Sequence, residues 1–234
     1  MIALDLNGKV IVVTGGFGSL GASVGRTLVA AGASVALVDR ADVSRAPGDV
    51  EGAFTLGDVD LTSAAGAGDA AARVAARFGR IDALVNVAGG FRWETVADGS
   101  IDTWDLLYRM NVQTAVNASR AVLPHLLAAG TGSIVNVGAL ASTKAGNGMG
   151  AYAASKAGVA KLTEAMAEEF KGRGITVNAV LPSIIDTAAN RADMPDADFT
   201  RWVKSEQVAE LVVFLVSGRA RAVTGALIPI AGAV

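Results

Sequence analysis

Two side chains with complementary proton chemistry stand four residues apart in Ala151-Tyr152-Ala153-Ala154-Ser155-Lys156, the phenol of Tyr152 and the ammonium of Lys156. On a helix that spacing puts both on one face. A free phenol titrates near pH ~10, too high for easy proton exchange at neutrality, and a cation within about 4 to 6 Å favours the phenolate. The expectation is a Tyr152 whose pKa Lys156 lowers and which serves as general acid or base. The pair alone is weak evidence, because a helix also carries a packed tyrosine and a solvated lysine by coincidence. Its weight depends on whether other elements bring a second reactant to it.

A candidate reactant site lies near the start of the chain. Lys9 to Val13 is a β-branched run that reads as a buried strand, and it leads through Thr14-Gly15-Gly16-Phe17-Gly18-Ser19-Leu20-Gly21 into an apolar helix pattern reaching Ala31. Strand, glycine turn and helix form the arrangement that binds a dinucleotide. The glycines let backbone approach a pyrophosphate, and the helix start offers it unpaired amides and a positive dipole end. A second strand, Ser34 to Val38, ends at Asp39, where an acid can accept hydrogen bonds from an adenosine ribose. The Asp39 carboxylate repels the extra phosphate of NADP, so NAD is the expected cofactor even with Arg40 beside it.

Further along, residues 51–56 read as a third strand ending in Gly57-Asp58-Val59-Asp60. Asp58 has two readings, a cap on the adenine side of the pocket or an ordinary turn or helix-cap aspartate. Ala64 to Phe78 reads as an alanine-rich helix, and residues 81–85 as a buried strand ending in a second small-residue turn, Asn86-Val87-Ala88-Gly89-Gly90. Ligands of open parallel sheets sit at the carboxyl ends of strands, so two such turns at two strand ends point to one crevice. Residues 101–129 form a long helical stretch in which Asn111 is an amide among apolar residues, and His125 has a packing or capping role there. Gly132 to Val137 is the next strand; residues 138–150 are a small-residue loop into the Tyr152 helix, which extends to about Gly172. Ile175 to Val180 is a strand that Pro182 breaks. Residues 183–204 are too polar for core throughout and form a candidate lid, in which Met194, Phe199 and Trp202 either close over a substrate or pack back onto the body. A helix at 205–216 and a strand at 226–230 complete the alternation.

Composition bounds these readings. At 234 residues, with no linker-like run, the chain suits one large domain, and its excess of Ala, Val, Leu and Gly over aromatics fits parallel strands covered by alanine-rich helices. No apolar run reaches the roughly 18 residues that span a bilayer, and residues 1–9 lack the features of a secretory signal. A soluble, cytoplasmic protein is expected. The absence of cysteine and the single histidine exclude thiol catalysis, a cysteine metal site, a histidine metal cluster and a histidine-based triad within one chain. The slightly acidic charge balance gives no sign of nucleic acid binding.

Thr14-Gly15 with Gly21, Asp58, Asn86-Val87-Ala88-Gly89, Asn111, Tyr152 with Lys156, and Thr224-Gly225 together resemble the short-chain dehydrogenase/reductase family across nearly the whole chain. The resemblance implies a single-domain α/β Rossmann fold, a doubly wound parallel sheet of about seven strands, that moves hydride to or from a nicotinamide as a homodimer or homotetramer. It makes Tyr152, Lys156 and Asn111 the catalytic residues, with Lys156 also holding the nicotinamide ribose and Asn111 positioning Lys156 through water. Gly15, Phe17, Ser19, Leu20 and Gly21 would meet the pyrophosphate and Asp39, Arg40, Asp58 and Val59 the adenosine. Asn86, Ala88, Gly89, Pro182, Ser183, Ile185 and Thr187 would line the nicotinamide half. No metal is implied, and the partner is a small carbonyl, alcohol or conjugated substrate.

The chain departs from the family pattern at the catalytic serine. The position 13 residues before Tyr152 is Ala139, with Gly138 before it, and Ser142 is the nearest hydroxyl along the loop. Losing such a donor typically costs about 10² to 10³ in rate, unless the substrate is already a strong electrophile. Ser19 for a glycine in the first turn and Ser183 for the glycine after Pro182 are milder changes. The serine-less loop, Phe91 after Val87-Ala88-Gly89-Gly90, and the segment through Asn190-Arg191, Met194-Pro195 and Trp202 are similar to dihydropteridine reductases, which implies quinonoid dihydropterin as one candidate substrate. A non-catalytic dinucleotide-sensing protein is a further reading of Ala139, against which the retained Tyr152, Lys156 and Asn111 stand.

Overall fold

The computed structural model describes residues 5–234. Its centre is a run of short, buried, β-branched segments: β1 (Val10–Thr14), β2 (Ser34–Val38), β3 (Phe54–Leu56), β4 (Ala83–Asn86), β5 (Gly132–Val137), β6 (Ile175–Pro182) and, after a small side sheet, β9 (Leu227–Ile230). They form one sheet in the order β3-β2-β1-β4-β5-β6-β9, every pair parallel. Parallel neighbours need crossovers, and helices supply most of them: α1 (Ser19–Ala30), α2 (Ala64–Phe78), the stretch holding α3 (Ile101–Leu107) and α4 (Thr114–Ala129), α5 (Gly150–Glu169) and α7 (Ser205–Val216). The strand order reverses between β1 and β4, so a crevice opens there at the carboxyl ends.

Strand alternation divides the core in two. Ile11 and Val13 of β1 pack with Val24 and Leu28 of α1 and Val212 of α7, whereas Val10 and Val12 face Val74 of α2, Leu126 of α4 and Met166 of α5. The small residues of α2 permit close approach to the sheet; its ends are set by Ser63, which caps Gly66, and by the left-handed Gly79.

Three expectations change. Residues 101–129 are not one regular helix: Tyr108–Gln113 makes a π turn around Asn111. β6 runs past Val180 through Pro182, whose missing N–H is tolerated because it falls at the last strand residue, beside Ile230 of β9. In the segment after it, β7 (Ile185–Asp186) pairs with β8 (Val203–Lys204), so a two-strand clip pins both ends of the candidate lid, and the short α6 (Ala188–Asp193) lies between them.

At the amino end of the sheet, Asp82 joins β1 to β4. It is 6% exposed and accepts from the Val10 amide at 3.0 Å, from Arg80 at 2.6 and 2.8 Å and from Lys9 at 3.1 Å. Burial pushes its carboxyl up, but Arg80, the Val10 amide and Lys9 outweigh burial and hold it below the usual carboxylate value. A depressed folded pKa contributes stability that is present above the unfolded value, about pH 4, and is lost as pH falls through the folded one. Asp82→Asn is therefore expected to lower urea-unfolding stability by about 1 to 3 kcal/mol at neutral pH, and to flatten the acid-side loss of stability relative to the parent protein.

Candidate active site

The crevice at the carboxyl ends of the strands is a cavity of about 790 Å³, and most of the residues singled out in the sequence line it. At β1 the turn is built by close approach. Gly15 has φ +63°, and a Cβ on it would stand 2.8 Å from the Ala88 nitrogen; one on Gly21 would stand 2.1 Å from the Gly15 carbonyl oxygen. Thr14 crosses the switch point, its hydroxyl accepting from the Val87 and Ala88 amides at 3.2 Å each. Only backbone therefore separates the two glycine turns, and α1 begins at the cavity wall, capped by Gly18 without a side-chain bond that would occupy its first amides. The cradle, the helix start and a carboxylate at the end of β2 fit a dinucleotide.

Asp39 is fixed in place. Its two oxygens accept from the Phe17 amide at 3.0 Å and the Ala41 amide at 2.9 Å, which ties the end of β2 to the first turn. Arg40, Arg45, Asp60 and Thr62 also line this end of the cavity. Arg45, at the end of a single turn after β2, and the 60–62 run carried no motif that would have singled them out.

At the other end Tyr152 and Lys156 both line the wall. Lys156 is 6% exposed and donates to the Val137 carbonyl at 2.8 Å. Asn111, 1% exposed in its π turn, stands behind the wall. Its oxygen accepts from the Gly90 amide at 2.8 Å, and its NH₂ donates to the Gly90 carbonyl at 3.1 Å and to the Ser155 hydroxyl at 2.8 Å. Ser155 in turn donates to the Tyr152 carbonyl at 2.7 Å. One amide thus joins the glycine wall to the helix of Tyr152 directly. Phe91 stands edge-on to the Tyr152 ring, with centroids 4.9 Å apart.

The electrostatics differ from the sequence expectation. Burial pushes the Tyr152 phenol up to about 12 and the Lys156 ammonium down to about 8. Both shifts follow from desolvation, which disfavours whichever form is charged. In the free chain burial outweighs any lowering of the phenol by its neighbour.

The short chain dehydrogenase family model matches residues 9–198. The chain belongs to this family. It is 35% identical over 242 aligned positions to D-threitol dehydrogenase of Mycolicibacterium smegmatis, covering 97% of this chain and 93% of that one. It is 32% identical over 246 positions to the 3-oxoacyl-[acyl-carrier-protein] reductase FabG of Thermotoga maritima, covering 98% of each. A short-chain type dehydrogenase/reductase from Mycobacterium ulcerans superimposes with a TM-score of 0.92 at 26% identity, over 98% of this chain and 90% of the other.

As a short-chain dehydrogenase, the chain places most of its candidate residues on the cavity. Phe17, Ser19, Leu20, Val59, Ala88 and Gly89 line it, as do Pro182, Ser183, Ile185 and Thr187. Besides Asn111, which stands behind the wall, two candidates do not. Asp58 is exposed in a left-handed turn at φ +57° and lies off the wall, so of its two readings the structure favours the turn. Asn86 faces the interior, where it donates to Asn136 at 2.9 Å and Ser119 at 3.2 Å, because its position on β4 points the side chain at α4. The expected catalytic hydroxyl has no substitute in Ser142. Its oxygen is enclosed in the turn Leu140–Ser142 without a hydrogen-bond partner among the described residues, while Ala139 presents a methyl group to the cavity.

In the candidate lid, Trp202 follows the second of its two readings and packs back onto the body. It is 5% exposed, Phe199 packs on it at a tilt with ring centroids 4.8 Å apart, and the residues of this segment that reach the cavity are Ser183, Ile185, Thr187, Ala188 and Ala189. His125 is half-buried in α4, away from the wall.

Gly89 offers a direct check on the Asn111 tie, since a Cβ there would stand 2.5 Å from the Asn111 oxygen and 3.5 Å from the Lys156 nitrogen. Gly89→Ala is expected to destabilise the fold by about 1 to 3 kcal/mol in urea unfolding. Gly68→Ala in α2, where nothing stands within 4 Å of the added carbon, is expected to stabilise by about 0.4 to 1 kcal/mol.

Proposed function

We propose that this chain is an NAD(H)-dependent oxidoreductase that moves hydride between the nicotinamide and a small carbonyl, alcohol or conjugated substrate, with Tyr152 as general acid or base. The observation that carries the reading is that Tyr152 and Lys156 share one cavity with the Gly15–Gly21 turn, the start of α1 and Asp39. A bound nicotinamide cofactor would give or take the hydride. The turn amides would hold its pyrophosphate, Asp39 and Val59 its adenosine, and Lys156 its nicotinamide ribose, with Ile185 and Thr187 at the carboxamide. Tyr152 then exchanges the proton with the substrate oxygen or nitrogen, and Asn111 keeps its helix in register with the glycine wall. By name, one relative above is a dehydrogenase of D-threitol and the other a reductase of a 3-oxoacyl group on an acyl carrier protein, which supports the reaction class.

Ala139 favours a second, narrower reading. With no hydroxyl beside Tyr152 to polarise the substrate, compounds that are already strong electrophiles are favoured, and quinonoid dihydropterin is such a compound. The exposed apolar side chains Val96, Ile101, Trp104 and Tyr108 support a homodimer or homotetramer. Among the described residues no helix is long and apolar enough to cross a membrane, which agrees with a cytoplasmic enzyme.

NADH oxidation across ketones, imines and quinonoid compounds tests the activity. Tyr152→Phe is expected to lose at least about 10²-fold in turnover while NADH fluorescence reports nearly unchanged binding; full turnover by that variant would remove Tyr152 from the mechanism. Asp39→Ala is expected to narrow the preference for NADH over NADPH, and equal affinity of the parent protein for both would overturn the assignment to this carboxylate.

A further inference from the structure

We infer that Phe91 is a specificity-determining residue, the fixed aromatic wall of a neutral slot for a flat, unsaturated ring that carries the reacting C=O or C=N group. The inference rests on the function proposed above and adds a substrate class to it.

Phe91 lines the cavity, sits edge-on to Tyr152 and is still 55% exposed. A ring in that position has one edge contact satisfied and apolar surface left over, directly beside the phenol that exchanges the proton. Flat unsaturated rings complement such a surface, as offset or edge-to-face pairs. Flexible aliphatic chains gain only the ordinary burial of area.

The wall does not have to be assembled on binding. Its strap is clamped to the loop that carries Ala139: Trp93 donates from its indole nitrogen to the Asn147 carbonyl at 3.0 Å, and the Glu94 amide donates to the Gly148 carbonyl at 2.8 Å. Gly148 has φ +70°, and a Cβ there would stand 2.1 Å from the Trp93 ring, so the indole lies flush on bare backbone. A surface held this way loses little freedom when a ligand arrives.

Charge sets the second half of the class. The charged residues that line the cavity are Asp39, Arg40, Arg45, Asp60 and Lys156. The first four follow β2 and β3, whereas Tyr152 and Ala139 sit by β5, three strand spacings or about 14 Å from β2. That leaves Lys156, whose ammonium is engaged by the Val137 carbonyl. A carboxylate or phosphate beside Tyr152 would lie in a largely apolar pocket with Lys156 as the one cation on that part of the wall, and would compete with the Val137 carbonyl and the proposed ribose contact for it, which is costly. The substrate ring therefore carries no carboxylate or phosphate.

The test compares two activated dicarbonyls that differ in shape, 9,10-phenanthrenequinone and 2,3-butanedione, in NADH oxidation by the parent protein and by Phe91→Leu and Phe91→Trp. The parent is expected to prefer the flat quinone. Phe91→Leu, which keeps bulk and removes the ring, should raise KM for the quinone about tenfold while leaving butanedione within about twofold, and Phe91→Trp should restore the preference. The same comparison is made as dissociation constants on the NAD⁺-saturated protein, where no hydride is available, so slow turnover cannot mask the result. Absence of a preference in the parent, binding of neither probe, or equal changes for both in Phe91→Leu overturns the inference while leaving NADH binding and Tyr152-dependent turnover intact. Failure of NADH itself to bind overturns the proposed function, and this inference with it.

Discussion

The three hydrogen bonds of the Asn111 amide are the constraint on which the site depends. A buried amide left without partners is costly, so its position is set wherever those partners are. Here they come from two separate places, the Gly90 backbone after β4 and Ser155 on α5. Satisfying both at once sets the distance between the glycine wall and the helix of Tyr152. The π turn that holds Asn111 is the local cost: Tyr108–Gln113 gives up regular α-helical bonding to present the amide at this point. Gly89 has no side chain because the Asn111 oxygen occupies the place where a Cβ would go.

Once the frame is fixed, burial governs the proton chemistry. Tyr152 and Lys156 lie on one helix face as their spacing predicts, but enclosing both favours the neutral form of each, so the phenol rises and the ammonium falls. The Val137 carbonyl, 2.8 Å from the Lys156 nitrogen, gives the ammonium a dipole to rest on without neutralising it. A charge kept in such an environment acts strongly on any nearby developing anion, because little solvent screens it. The same enclosure that keeps the Tyr152 phenol from ionising in isolation therefore strengthens the response of the pair when negative charge develops beside it.

Much of this was legible in the sequence. The β-branched runs gave the sheet, and α2 and α7 fall on the expected residues because the apolar pattern changes sharply at their ends. The glycine turns were legible as chemistry, since few side chains survive so close an approach of backbones. What was hidden depends on side-chain direction. Asn86 belongs to a recognisable turn, yet the parity of β4 aims it into the interior. Asp58 sits next to Val59, which does line the cavity, but a left-handed backbone turns its carboxylate to solvent. The π turn leaves the hydrophobic pattern of its helix almost unchanged, so periodicity could not reveal it. Trp202 reads equally as lid or core until β7 and β8 pair and draw it inward.

The adenosine end shows how a fixed charge and mobile ones divide a task. Arg40 and Arg45 line the cavity close to Asp39, and with Asp60 also there the charges at this end balance by number. Number is a poor guide, because both guanidiniums belong to exposed residues on long side chains, where solvent screens them and holding one geometry costs rotamer freedom. Asp39 is held by two backbone amides, one of them in the glycine turn itself, so its negative charge cannot swing aside to admit another anion. A phosphate on the adenosine ribose would have to displace this carboxylate and break the bond that orders the turn, whereas a hydroxyl can share its remaining lone pairs. The proposed assignment to NAD thus rests on which charge the backbone has immobilised, with the arginines adapting around it.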